Sequence, residues 1–171
     1  MTIVMNQRVG AEQKSAKAIE RTNSQRILAI DYGRKRIGLA ISDDRGLVAK
    51  PLSTFSRTNR SNDLRRLRDI CRARGVVRII VGHPLHITGE LSPMADEAAR
   101  FSKRLKKELG IPVELQDERL TSWEAEQTVA ETKPLSRRKR VSFDDVAAAV
   151  LLRDYLEQKR GNGRVASVER D

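Results

Sequence analysis

Residues 26–42 read RILAIDYGRKRIGLAIS. An apolar run over residues 27–30 ends on Asp31. Tyr32-Gly33 and the basic Arg34-Lys35-Arg36 follow, and a second apolar run fills residues 37–41. The pattern predicts two antiparallel strands joined by a tight glycine-containing turn, with one carboxylate at the tip of the first. A buried strand of Ile, Leu and Ala does not normally finish on an acid, because an unpaired buried carboxylate is very costly. Asp31 is therefore either an exposed turn residue or a group that holds something positive.

Working outward, Gly46 opens a third strand over residues 47–55. Pro51 lacks an N–H donor, which predicts an edge position or a bulge for that strand. Helix and strand then alternate. Ser61 or Asn62 caps a helix with Leu64, Leu67, Ile70 and Cys71 on one face, and Gly75 ends it. Residues 76–81 form a β-branched strand that stops at Gly82. Ser92-Pro93 opens a helix in which Met94, Ala98, Phe101, Leu105 and Leu109 repeat at helical spacing, while Arg100, Lys103, Arg104, Lys106 and Lys107 face water. Residues 113–117 alternate as a strand, and Thr121-Ser122-Trp123-Glu124 resembles a capping box for a helix to about residue 131.

KPLSRRKRV, residues 133–141, reads as a mobile basic loop. Ser142 and Asp145 begin a last helix, with Ala147, Ala148, Leu151, Leu152, Tyr155 and Leu156 on its apolar face. The order βββαβαβαα implies an α/β fold, a mixed five-stranded sheet with helices on both faces. Residues 26–160 form the domain, residues 1–25 a poorly ordered extension and residues 161–171 a flexible polar tail.

Composition narrows the function. With 171 residues the chain suits one well-cored domain. The single Cys71 excludes an intramolecular disulfide and a cysteine-built zinc site, and His83 and His86 are too few for a histidine-rich one. No apolar run is long enough to span a bilayer, and the N-terminus lacks a signal-peptide core, so a cytoplasmic protein without membrane contact is expected. Thirty-four basic against 23 acidic residues leave a net charge of +11, which attracts polyanions, nucleic acid above all. Aromatics at 4% argue against a base-stacking platform for single strands.

Acids stand at the ends of three elements: Asp31 after the first strand, Asp117-Glu118 after the last, and Asp144-Asp145 in the first turn of the final helix. If the first and last strands are parallel and near the middle of the sheet, their C-terminal ends lie side by side, where ligand crevices form. Three carboxylates brought together there would need a cation, and Mg²⁺ is the natural one. With a phosphodiester between two such ions, one activates water and the other stabilises the leaving 3′ oxygen. Strand alternation favours Asp117 over Glu118, although it is unreliable at a strand's last residues. Helical periodicity places Asp144 and Asp145 on opposite shoulders of the apolar face and does not choose between them.

The chain resembles the YqgF/RuvX family, described both as pre-16S rRNA nucleases and as Holliday-junction resolvase-like proteins. The resemblance lies in Asp31-Tyr32-Gly33 with Arg36-Ile37-Gly38-Leu39-Ala40-Ile41-Ser42-Asp43, in Val81-Gly82 with Pro84-Leu85 and Gly89, in Asp117-Glu118-Arg119-Leu120-Thr121-Ser122, and in Asp144 with Ala147-Ala148 and Leu151-Leu152. It implies an RNase H-like fold of the RuvC type and a nuclease dependent on Mg²⁺ or Mn²⁺. The nuclease would act on structured nucleic acid, with 5′-end maturation of pre-16S rRNA in ribosome biogenesis as its role. By position, Asp31, Glu118 and Asp144 become the catalytic metal ligands, with Asp117 and Asp145 as secondary candidates.

The chain departs from the family at residues 82–89. There GHPLHITG stands where Gly-Leu-Pro-Leu-Asn-x-Asp-Gly is usual, which puts a polar role for that loop, and for His86, in doubt. Arg34, Lys35, Arg36, Arg137, Arg138, Lys139 and Arg140 flank the proposed site and are candidate phosphate contacts. Expected partners are RNA, a four-way DNA junction as the substrate alternative, and precursor ribosomal particles, with the chain a monomer or weak dimer. A non-catalytic ribosome assembly factor is a reading from a different class. A sugar-kinase-like ATPase half is a third, against which the short length weighs.

Overall fold

The hairpin expected from residues 26–42 is present. Strands β1 (Ile27–Tyr32) and β2 (Arg36–Ser42) pair antiparallel, with Asp31 opposite Gly38. The computed structural model describes residues 24–85, 92–118 and 143–168. Strand β3 (Ala49–Ser56) follows, then helix α1 (Arg60–Arg74), β4 (Arg78–His83), α2 (Pro93–Leu109), β5 (Val113–Asp117) and α3 (Phe143–Val168). The five strands lie in the order β3-β2-β1-β4-β5, with β4 parallel to both β1 and β5.

Pro51 behaves as its missing N–H requires. It sits on edge strand β3, where Leu39 pairs with Ser53 but Ala40 with Pro51, so Leu52 is the extra residue of a bulge. Alternation along the central strands separates two cores. Leu28, Ile30, Ile37, Leu39, Ile79 and Val81 pack with residues of α1 and α2 on one face. Ala29, Ala40 and Ile80 pack under Ala148, Leu151, Leu152, Tyr155 and Leu156 of α3 on the other. The small alanines of β1 and β2 let α3 lie close to the sheet.

Several boundaries differ from expectation for local reasons. β3 begins at Ala49, because the Asp43 carboxylate accepts the N–H groups of Leu47 (2.6 Å) and Val48 (3.0 Å) and holds them in a turn. Asn59, rather than Ser61 or Asn62, caps α1: its side chain accepts the Asn62 N–H at 2.9 Å. β4 runs on to His83, since β5 pairs with it as far as His83 with Asp117. α3 continues to Val168, past Gly161 where a tail was expected. No proline interrupts it, and each glycine costs a helix only about 1 kcal/mol.

The largest correction concerns β5, which is an edge strand, with β4 between it and β1. Residues 1–23 of the expected 1–25 extension, the helix from Thr121, Trp123, the basic loop with Arg137, Arg138, Lys139 and Arg140, and His86 lie outside the described residues. Among those described, no helix is long and apolar enough to cross a membrane.

Candidate active site

Side chains alternate across a strand, so the face that carries Ala29 next carries Asp31. On β2 the same face carries Ala40 and then Gly38, which pairs directly with Asp31. On β4 it carries Ile80 and then Gly82, and the register Ala29 with Ile80 leads on to Gly82 beside Asp31. Asp31 therefore stands on the α3 side of the sheet between two residues that have no side chain.

Both gaps are filled. A Cβ on Gly38 would lie 2.0 Å from the backbone oxygen of Asp144 and 2.9 Å from its Cβ, so the first turn of α3 rests on that glycine. A Cβ on Gly82 would lie 1.6 Å from Oε1 of Glu118, whose carboxyl occupies the space above β4. Glu118 follows the last residue of β5, and its N–H reaches the His83 carbonyl at 3.3 Å. Gly82 is thus what lets an acid from the edge strand reach across β4 toward Asp31.

The electrostatics record this convergence. Burial, and then the charge of Asp144, push the Asp31 carboxyl up to about 6. Burial, and then the charges of Asp31 and Asp117, push Glu118 up to about 7. Asp144 forms an ion pair with Arg36 at 2.8 Å. Burial raises Asp145 as well, against the lowering effect of backbone N–H groups at the start of α3, and its Oδ1 is buried without a hydrogen bond among the described residues.

Within each acidic pair the two members stand differently. Glu118 is the acid of its pair whose carboxyl overlies Gly82, with Asp117 acting on it through charge. Asp144 is the helix acid that shares space with Gly38 and charge with Asp31.

Not every candidate joins them. Arg36 does, Lys35 is exposed in the turn, and Arg34 is turned to Glu97 at 2.8 Å. His83 continues the opposite face, that of Ile79 and Val81, with its Nε2 buried and without a hydrogen bond among the described residues.

The donor set suits a hard divalent cation. Three carboxylates supply oxygen ligands only, and burial has left two of them reluctant to ionise with one arginine close by. Among the described residues, no three acid, histidine or cysteine side chains already stand at metal-binding spacing. Sequence reasoning missed the part played by Gly38 and Gly82. A glycine inside a strand, which often marks close approach of another group, was the available signal.

Residues 25–158 match a family model described as RuvX: Holliday junction resolvase. The chain belongs to the RuvX family. A "Putative pre-16S rRNA nuclease" of Chloroflexus aurantiacus (strain ATCC 29366 / DSM 635 / J-10-fl) is 40% identical over 140 residues, 82% of this chain and 92% of that protein. A protein of the same name from Moorella thermoacetica is 39% identical over 138 residues, covering 81% and 99% of the two chains. Among solved structures, RuvC of Thermus thermophilus superposes with a TM-score of 0.52 and 16% identity over 80% of this chain and 97% of its own. That likeness is one of fold, the RNase H-like arrangement of the RuvC type. RuvX membership and the mixed five-stranded sheet agree with the expectation from the hairpin and its flanking motifs, while the place of β5 in that sheet does not.

Proposed function

We propose that this RuvX-family chain is a divalent-metal-dependent endonuclease that trims the 5′ end of precursor 16S rRNA during ribosome biogenesis in the cytoplasm. One observation carries the reading: Asp31, Glu118 and Asp144, from three separate parts of the chain, lie on one face of the sheet where two glycines clear space, with Asp31 in electrostatic reach of Asp144 and Glu118 in reach of Asp31. Asp31, Glu118 and Asp144 are the residues that would hold Mg²⁺ or Mn²⁺. A metal bound there supplies activation of water and stabilisation of charge on the phosphate and leaving oxygen.

The chain's own groups do the rest. Asp31 comes from a central strand, and a rigid element holds a ligand more accurately than a loop. Arg36 neutralises Asp144 at the rim, and Lys35 in the turn is placed to meet a backbone phosphate. The surplus of +11 charges supplies attraction to RNA irrespective of sequence.

The test is cleavage of a precursor 16S rRNA fragment by the purified full chain. Cutting should require Mg²⁺ or Mn²⁺ and fall by at least about a thousandfold in Asp31→Asn, the several kcal/mol expected of metal catalysis. RNA binding by the variant should persist. Equal cutting by wild type and variant would place the activity in a contaminant and leave a binding factor. Preference for a four-way DNA junction, together with a dimeric solution mass, would replace the RNA substrate with the junction.

A further inference from the structure

Tyr32 follows Asp31 on β1 and therefore lies on the opposite face of the sheet, against the α1 and α2 core. A cavity of about 300 Å³ opens beside it, lined by Arg57, Arg60, Arg100, Arg104, Tyr32 and Phe101. Its two acids, Asp63 and Glu97, are already engaged. Asp63 holds Arg57 at 3.1 Å and is almost fully buried, while Glu97 pairs with Arg34 at 2.8 Å. Arg100 is paired with Asp96 on its own helix. Arg60 and Arg104 have no ion pair among the described residues.

Two features distinguish this from a solvated basic face. Arg57 is fixed from three sides: it donates to the Gly33 carbonyl at 3.1 Å, pairs with Asp63, and covers the Tyr32 ring at 4.7 Å. Arg60 opens α1, where the helix dipole disfavours a cation, so its charge does nothing for the helix. The aromatic faces are occupied. Tyr32 lies against Phe101 with ring centroids 4.7 Å apart, and Arg57 covers Tyr32. The lining is thus suited to an anion rather than a base, and guanidinium forks match phosphate oxygens. The exposed turn with Arg34, which pairs with Glu97 of the cavity, and Lys35 lies between this cavity and Arg36 at the acidic site.

We propose that this cavity grips a backbone phosphate of the same nucleic-acid strand that the acidic site cleaves, on the opposite face of the sheet. The proposal rests on the nuclease reading above. Arg60 and Arg104 supply the open charges, Arg57 a preorganised wall, and the turn with Arg34 and Lys35 the surface over which the strand passes.

The test uses the full chain carrying Asp31→Asn, so that binding is read without cleavage. Fluorescein-labelled single-stranded RNA is titrated by anisotropy across a salt series. Arg60→Ala with Arg104→Ala should weaken binding roughly tenfold and make the salt dependence shallower by about 0.7 for each phosphate that is no longer neutralised. Lysine at both positions, which keeps the charge, should preserve the salt slope. Alanine at Lys103 and Lys106, on the outer face of α2, should change far less. A shared melting temperature shows that all variants are folded.

Unchanged affinity and slope in the arginine variant overturn the grip, while RNA binding by Asp31→Asn leaves the nuclease reading standing. Inorganic pyrophosphate that binds wild type but not the arginine variant, with RNA affinity unchanged, also overturns it in favour of a small phosphate ligand. Absence of any RNA binding by Asp31→Asn removes the nuclease reading and the grip together.

Discussion

Gly82→Ala should leave the protein folded and remove its activity. The new methyl would meet the Glu118 carboxyl 1.6 Å away, at the movable end of a side chain that can swing aside. Glu118 would then lose its place beside Asp31, and cleavage should fall at least about a hundredfold, as for a misplaced catalytic group. The melting temperature should stay within a few degrees. Gly38→Ala should behave differently, because its methyl would meet backbone, the Asp144 oxygen at 2.0 Å and carbon at 2.3 Å. Alanine in a strand is otherwise favoured over glycine by up to about 1 kcal/mol, so any loss comes from α3 being forced off the sheet. Overpacking of this kind destabilises by about 1–3 kcal/mol, read as a fall of roughly 3–10 °C. Parallel thermal melts and cleavage assays on the two variants separate these cases. Full activity in Gly82→Ala would mean that Glu118 has no part in the chemistry.

Asp31→Asn should make the metal-free protein more stable above neutral pH. Folding raises the Asp31 carboxyl to about 6 and Glu118 to about 7. The folded state therefore binds more protons than the unfolded chain between about pH 4 and pH 7, and stability must fall as the pH rises through that window. The penalty is complete above it. For Asp31, a rise from 3.8 to about 6 corresponds to on the order of 3 kcal/mol. Denaturant unfolding in chelator at pH 8 should show the variant more stable by on the order of 2–3 kcal/mol. The gap should close toward pH 4; Glu118, which the Asp31 charge also helps to raise, adds to it in the same direction. Mg²⁺, which favours the ionised carboxylates, should narrow it at pH 8. Equal stability of the two chains at pH 8 would mean that Asp31 is not held in a destabilising place. A residue retained against stability in this way is expected of a site kept for chemistry.

How far the sequence discloses this arrangement depends on what each residue needs. Asp31 is visible because an apolar run should not end on an acid, and Pro51 because a missing N–H has few places in a sheet. Glu118 is not decided by alternation, since it lies one residue past the β5 ladder, where the pleat no longer dictates direction. The place of Asp144 beside Asp31 follows from the seating of α3 on Gly38, a tertiary contact that helical periodicity does not contain. The position of β5 at the edge is likewise a matter of strand order, which local pattern leaves open. The phosphate cavity is hidden for the same reason. Its arginines come from the end of β3, the start of α1 and the middle of α2, and Arg100 and Arg104 read along the chain as part of a wet face.

The central claim is that Asp31 and Glu118 form one cation-binding centre with Asp144. Manganese uptake, followed by the loss of the free-ion electron paramagnetic resonance signal as protein is added at pH 8, measures this directly. Wild type should take up Mn²⁺, and both Asp31→Asn and Glu118→Gln should bind it at least about tenfold more weakly. Undiminished uptake by the two variants would contradict the account.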